Sequence, residues 1–443
     1  MADILSFRAL RYNLSKVTAG DVMTQPYDKI TPAMQDGYYA ASPYNLVRII
    51  LGKPQANDND QENVYTRAAA CLRQWQAEGV LLRDAEPSIY VYAQKFEVPG
   101  DPSGAEMERR GFIALGRVED YDRKVVFRHE QTLSKPKADR LNLLQATQAH
   151  CEQIFMLYTD PADEVGKLLK QDTAPTVELR DEYGVLHQMW KVSDPATVAA
   201  TRAKMADKKL IIADGHHRYE TALNYRNQMR QQAKGDLEAP YERVVITFVN
   251  MDAPGLVILP THRVVFGLED FSIFEMVAKL QRYFEVEDVG PVSDAQDALR
   301  WLHEAGKDNT ALLAVTAHSA FLLRTLKNVQ AAKLKDLPQQ QRELDVVRLH
   351  KLVLEEILGM SEEDIRAQKH LKYIRDASEA VDEVRSGAAQ VAFLMNPVHI
   401  EQMRDIAFAG GVMPQKSTDF YPKMLSGLTI YSLSEARGPA GER

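Results

Sequence analysis

The segment ADGHHRYETA, residues 213–222, sets two histidines between an Asp-Gly pair and an arginine. The residues before it, 209–213, are apolar and β-prone, and those after it read as a helix. A helix that starts at such a turn presents unpaired backbone N–H groups and the positive end of its dipole. Both favour phosphate. Arg218 adds a planar fork that matches phosphate oxygens in pairs. Gly215 permits a positive φ or a close backbone approach, and His216 and His217 add further donors. Asp214 is placed to cap the helix or to help hold Mg2+. Asp214, Gly215, His216, His217 and Arg218 thus form a candidate phosphate cradle. The motif alone is a poor metal chelate. Adjacent histidines diverge by about 100° on a helix, Arg218 would oppose the cation, and the H-E-x-x-H spacing is absent.

Two further stretches carry candidate chemistry. In RHEQTLSKPKADR, residues 128–140, His129 and Glu130 follow the strand-like KVVF, so both project at a strand end, where sites gather in α/β proteins. Glu130 is the first candidate for general base and His129 the second. Glu130 joins Asp214 as a candidate Mg2+ ligand, and Lys137 and Arg140 are candidate substrate cations. In MPQKSTDFYPK, residues 413–423, Lys416, Ser417, Thr418 and Lys423 offer hydroxyls and ammoniums to a substrate phosphate or carboxylate. The stretch is not a P-loop, because the G-x-x-x-x-G-K spacing is missing. Pro414 and Pro422 would pre-set its shape. Asp28, in QPYDKI, is another candidate base or Mg2+ ligand. Each stretch also has a plain structural reading, as a solvated loop or a rigid turn. His262 is read as packing at a strand end, without a role.

These residues need a framework of strands and helices. The chain has 443 residues, long enough for two domains, and 45% hydrophobic and 26% charged residues fit an ordinary globular core. A net charge of −8 without long like-charge blocks argues against a nucleic-acid-coating protein. Two cysteines without a C-x-x-C support neither a disulfide framework nor a zinc ribbon and suit a reducing cytoplasm. No apolar run reaches the length of a membrane span. Strands alternate with helices throughout, which gives an α/β or mixed α+β class. The pattern predicts helices over 64–81, 195–207 and 292–306, and one continuous helix from Lys137 to about Phe155 before a short buried strand. It predicts a strong amphipathic helix over 344–359. The texture changes after Gly267, so the expected division is an N-terminal α/β region, 1–267, and a C-terminal α/β domain, 268–443, whose 410–428 loop returns to the site.

Strand, glycine, two polar residues, arginine and helix, in that order, resemble the signature box of the ParB/sulfiredoxin superfamily. Free serine kinases of that superfamily carry Asp-Gly-His-His-Arg, which stands here at 214–218. Aligned on Gly215 and Arg218, the sulfiredoxin cysteine position is His216, which excludes sulfinic-acid repair by that thiol mechanism. QPYDKI (25–30), SPYNLVRI (42–49), RHEQTLSKPKADRLNLL (128–144) and GGVMPQKSTDFYPKMLSGL (410–428) resemble the family labelled domain of unknown function 1015. With the box, this resemblance spans almost the whole chain. It implies a ParB/sulfiredoxin-like α/β core and a nucleotide or phosphate site.

The leading expectation is a cytoplasmic, nucleotide-dependent phosphotransferase acting on a small hydroxyl metabolite. Mg2+ would be its cofactor and ATP or ADP its co-substrate, and the resemblance makes serine the first acceptor to try. Its partners would be small molecules, not nucleic acid or membrane, and a homo-oligomer is compatible with the sequence. The alternatives are a ParB-like nucleotide-binding switch, and a metal-dependent hydrolase using His129, Glu130, His216 and His217.

Overall fold

The computed structural model describes residues 2–101, 103–130, 135–232, 236–307, 310–326 and 332–434. The chain divides into two compact units. The first takes residues 1–128, 132–256 and 422–443, and the second takes 129–131 and 257–421. Both mix strands and helices, so the protein is of mixed α/β class.

The described residues of the first unit build a nine-stranded sheet. In chain order its strands are β1 (Ile4–Leu5), β2 (Ile89–Glu97), β3 (Glu106–Arg117), β4 (Val126–Phe127), β5 (Ile154–Tyr158), β6 (Val177–Arg180), β7 (Leu186–Val192), β8 (Leu210–Asp214) and β9 (Arg243–Asn250). The spatial order is β4-β8-β5-β9-β3-β2-β7-β6, with β1 also paired to β3. Most pairs are antiparallel, while β8 with β4 and β9 with β5 run parallel. All residues of β5 and β9 are buried, so neither face of these central strands meets water.

Local sequence explains the helix starts. Asn63 caps α1 (Val64–Ala77): its side chain accepts from the Tyr65 and Thr66 amides at 3.0 and 3.1 Å, while Thr66 returns the bond. Asp194 caps α3 (Pro195–Met205), accepting from the Thr197 amide at 2.8 Å, with proline in the first turn. Between them in the chain, α2 (Lys135–Thr147) starts two residues before Lys137 and is shorter than expected. The predicted helix to Phe155 stops at Thr147, and Gln148 takes a left-handed φ of +50°. Ala149–His150 then pairs with Tyr431–Ser432, and β5 enters the sheet centre. The apolar run IFMLY has no helical or strand period of its own, and burial on both faces made it a strand.

The second unit holds a six-stranded antiparallel sheet. Its strands are β10 (His262–Val265), β11 (Phe284–Gly290), β12 (Ala311–Val315), β13 (Ala320–Leu326), β14 (Leu371–Ile374) and β15 (Val391–Met395), in the order β11-β13-β12-β15-β10-β14. Helices Ala295–Ala305 and Ala377–Arg385 bury apolar stripes against its core. The amphipathic helix expected over 344–359 forms, but in two registers. Asp345–Arg348 is α-helical, and Leu349–Ile357 is a π-helix whose last turn closes from the Leu358 amide to the Val353 carbonyl, five residues back.

Candidate functional site

The Asp-Gly-His-His-Arg turn lies where β8 ends and α4 (His216–Gln232) begins. Strand β8 runs antiparallel to β5, with Asp214 opposite Phe155, so the start of β5 and the residues before it border the turn. Gly215 takes φ +93°, a conformation that L side chains rarely adopt. The turn folds Arg218 back over the glycine: a Cβ there would meet the Arg218 Nε at 3.0 Å. Helix α4 is anchored by Tyr219, fully buried, whose hydroxyl donates to the Glu119 carbonyl at 2.7 Å.

Charges alternate around this turn. The Lys423 ammonium donates to the Asp214 carboxylate at 3.2 Å, and an Arg218 nitrogen lies 3.7 Å from it. Arg218 also donates to the Gln153 carbonyl. Burial pushes the Asp214 carboxyl up, but Lys423, Arg218 and Lys29 outweigh it and hold the group far below the usual carboxylate range. Burial likewise opposes the charge of Arg218, and Glu152, Asp214 and Asp28 more than restore it. Glu152, deeply buried, shows the opposite balance: desolvation raises its pKa, and Arg218 and Arg140 only partly offset it. Its carboxylate accepts from the Tyr27 amide at 3.1 Å and the Ser426 hydroxyl at 3.3 Å. Arg140 lies 3.7 Å from Glu152, stacks over the Tyr27 ring at 4.0 Å, and donates to the Ile50 carbonyl at 2.7 Å. Desolvation first, then Asp28, lifts the Tyr27 hydroxyl to about 12. Arg140, Glu152, Arg218 and Thr221 border a cavity of about 50 Å³, room for a water or two but not for a phosphate chain.

Lys423 is set by groups that sequence reading passed over. Arg109, fully buried against the Phe155 ring at 5.0 Å, donates to the Pro422 carbonyl, and Gln94 donates to the Lys423 carbonyl at 2.8 Å. Desolvation lowers the Arg109 pKa to about 10. Glu152 and Gln153 were hidden by the helix expected across them. Arg109 left one signal, the charged run Glu108-Arg109-Arg110 just ahead of the apolar residues 112–115 of the same strand.

The remaining candidates fall as follows. In the first unit, Asp28 is exposed on the short turn Tyr27–Lys29. His216 is buried and His217 half-buried on the first turn of α4. Lys137 lies on α2, with its side chain outside the described residues. In the second unit, His129 and Glu130 meet the 413–418 stretch. The Met413 amide donates to the His129 carbonyl at 2.7 Å, His129 Nε2 shares a 2.7 Å hydrogen bond with the Thr418 hydroxyl, and the Lys416 amide donates to Glu130 Oε1 at 3.2 Å. The Ser417 hydroxyl donates to the Pro414 carbonyl at 2.6 Å, closing the turn on itself. His262 is buried, accepts from the Met395 amide at 3.2 Å, and is held down to about 4 by desolvation.

No group of three or more His, Cys, Asp or Glu side chains among the described residues is arranged to hold a metal ion. Mg2+ usually keeps several waters and takes one or two carboxylates plus substrate phosphates. Asp28, exposed, offers such a carboxylate; Asp214, between two cations, fits better as their counter-charge. No helix among the described residues is long and apolar enough to cross a membrane.

No curated protein matches the chain. Among solved structures it is similar to a conserved hypothetical protein from Pyrococcus furiosus, at 13% identity and TM-score 0.33, over 67% of this chain and 87% of that one. A free serine kinase variant in complex with AMP matches at 12% identity and TM-score 0.35, over 69% and 89%. SbnI with a C-terminal truncation, from Staphylococcus aureus, matches at 10% identity and TM-score 0.35, over 74% and 90%. At these TM-scores the likenesses establish neither a shared fold nor shared chemistry. The family match is of another order: residues 4–347 fit the pattern described as "Protein of unknown function (DUF1015)", and the chain belongs to that family.

Proposed function

We propose that this protein transfers a phosphoryl group from a nucleotide to a small hydroxyl metabolite. The observation that carries the reading is the convergence of Lys29, Arg140, Arg218 and Lys423 with the N-terminus of α4, around a left-handed glycine, within one unit. Phosphoryl transfer asks mainly for positioning and charge stabilisation, and cations at a helix N-terminus supply both. Arg218 and the first turn of α4 would hold the nucleotide phosphates, with Asp214 as counter-charge that keeps Lys423 and Arg218 in place. Asp28 would hold Mg2+, which when bound would supply neutralising charge to the phosphates. Lys423 and Arg140 would orient the acceptor. Glu130 and His129, with Lys416, Ser417 and Thr418 beside them, are tested separately through Glu130→Gln, whose loss of turnover would assign the proton transfer to that pair.

The test is a thermal-shift panel of AMP, ADP and ATP with Mg2+, on wild type and Arg218→Ala, followed by assay of phosphorylated product with serine as first acceptor. A nucleotide-dependent rise in Tm that Arg218→Ala abolishes is expected, with product released by wild type. An equal response from both proteins removes Arg218 as a phosphate ligand. A nucleotide shift without phosphorylated product, across a panel of hydroxyl acceptors, would replace transfer by a binding switch.

A further inference from the structure

Three polar side chains of the first unit form a buried relay to which the reading above gives no part. His187, on β7, is fully buried; Tyr92, on β2, and the Asp181 side chain, in the turn between β6 and β7, are nearly so. Strand β7 runs antiparallel to β2 with His187 opposite Gln94, so His187 lies diagonally across from Tyr92 on one face of the sheet. His187 Nδ1 is 2.6 Å from the Tyr92 hydroxyl, and its Nε2 is 3.1 Å from Asp181 Oδ2. The Leu425 amide donates to the same Tyr92 hydroxyl at 3.3 Å.

Donor count sets the direction of these bonds. Asp181 Oδ1 accepts from the Tyr183 and Val185 amides at 2.9 and 3.0 Å, and Oδ2 accepts from the Gln25 side chain at 2.9 Å as well as from His187. Burial opposes the charge of Asp181, and His187, the Val185 amide and Gln25 outweigh it, so its pKa lies below its ordinary value. A carboxylate only accepts, so His187 Nε2 carries a proton. The Leu425 amide only donates, so the Tyr92 oxygen is its acceptor. The Tyr92 O–H then finds its acceptor in a bare Nδ1. Protons run one way, from Leu425 through Tyr92 and His187 to Asp181, and each has an acceptor. An imidazole protonated on both nitrogens would aim two donors at the Tyr92 oxygen and leave the phenol proton without one.

The relay ends two residues after Lys423. The backbone there is held step by step. Arg109 donates to the Pro422 carbonyl, Gln94 to the Lys423 carbonyl at 2.8 Å, and Gln153 to the Leu425 carbonyl at 2.7 Å. Ser426 and Thr24 exchange backbone bonds at 2.8 and 3.1 Å. Tyr92 holds the amide side of Leu425, which these bonds do not reach. We infer that Asp181, His187 and Tyr92 are positioning residues: His187, with its proton on Nε2 alone, fixes the Tyr92 hydroxyl as acceptor for Leu425 and so sets Lys423 against Asp214. The inference rests on the reading of Lys423 as a group that orients the phosphoryl acceptor.

Tyr92→Phe removes the hydroxyl and keeps the ring. Tyr90→Phe is its match: Tyr90 is as buried, lies on the same face of β2, and gives its hydroxyl to Asp84 at 2.6 Å, not to the 422–426 segment. With serine as acceptor, Tyr92→Phe should raise the acceptor KM about fivefold, the loss expected of one hydrogen bond, and leave ADP affinity unchanged. Tyr90→Phe should change neither. Urea midpoints in combination with Lys423→Met should show losses that are less than additive for Tyr92→Phe and additive for Tyr90→Phe. Nitrogen-15 NMR of the wild-type histidines, which needs no variant, should show a bare Nδ1 and a protonated Nε2 at His187 near neutral pH. A proton on Nδ1, additive losses with Tyr92→Phe, or equal KM changes in the two phenylalanine variants would each overturn the inference. Absence of phosphorylated product from wild type would remove the phosphotransfer reading instead, and the spectrum and the urea cycles would still decide the relay.

Discussion

Asp214 in the first unit and Asp345 in the second are both carboxylates drawn out of water, and they titrate in opposite directions. Burial pushes both up. At Asp214 the charges of Lys423, Arg218 and Lys29 win, and the group stays ionised far below the usual range. At Asp345, at the start of its short helix, desolvation outweighs the Ala311 amide at 3.4 Å, Arg348, the Thr310 side chain and His399, and carries the group up to about 6. The same contrast separates the Asp214 site from the buried His350 of the second unit. Around Asp214, burial is matched by opposite charges, which suits a polyanion that will exchange partners with them. Around His350, desolvation lowers the pKa of the imidazole, and Arg263 and Lys351 add to it rather than oppose it. Burial alone does not tell a reader which charge state is present; the counter-charges do.

The largest effect that can break this comparison lies at Lys423. Lys423→Met leaves the Asp214 carboxylate with Arg218 and Lys29, and removing one partner of a largely buried ion pair costs about 3 kcal/mol. Lys351→Met, in the second unit, removes a more exposed lysine from Glu355 and Glu362 and should cost less than about 1 kcal/mol. Urea midpoints measure both. The depressed pKa of Asp214 adds stability that is present above the unfolded value of about 3.9 and is lost as pH falls through the folded one. The lysine variant should therefore lose less stability on acidification than wild type does. Equal losses in the two lysine variants would mean that Asp214 does not depend on its counter-charges.

How much of this was legible beforehand follows from the range of the interactions. The β8–α4 turn could be read from five adjacent residues, because a left-handed glycine between a strand and a helix is a local matter. The Lys423–Asp214 pair joins residues 209 apart in the chain, and nothing local announces it. Glu152 was concealed by a wrong period: QATQAHCEQIF fits a helix on paper, and only the pull of the central sheet position shows that the chain must leave the helix at Gln148. The π register over Leu349–Ile357 leaves the apolar pattern intact, so the amphipathic reading was right while the direction of His350 was not available from it. Fold class rests on patterns summed over many residues and survives such errors; a site rests on a few long-range contacts and does not.

The second effect is a pH dependence with the opposite sign to that at Asp214. The folded pKa of Asp345, about 6, lies above its ordinary 3.8, so the folded state binds the extra proton between those values. Stability contributed by this group is therefore greatest at the acid end of the window and falls as pH rises from about 4 to 6. At 1.36 kcal/mol per unit the change is about 2 kcal/mol. Asp345→Asn cannot titrate and should flatten that part of the curve. Chemical denaturation at intervals across the window reads the slope. An unchanged slope in the variant would show that Asp345 keeps a solvated or paired carboxylate, and the contrast with Asp214 would collapse.

The smallest effect sharpens the geometry of the cradle. Gly215 and Gly359, which follows the π-helical segment, both take positive φ, +93° and +71°. An alanine at either position strains the backbone by on the order of 1 kcal/mol. A Cβ at Gly359 meets nothing within 4 Å, whereas one at Gly215 would crowd the Arg218 guanidinium at 3.0–3.1 Å. That guanidinium must then shift from the Gln153 carbonyl and Asp214, so Gly215→Ala should cost about 1 kcal/mol more than Gly359→Ala. In an Arg218→Ala background there is no side chain left to crowd, and the excess should vanish while the backbone strain remains. A double-mutant cycle on urea midpoints gives this coupling directly. An excess that persists without the arginine would place the constraint in the turn itself and would separate the shape of the cradle from the residue proposed to fill it.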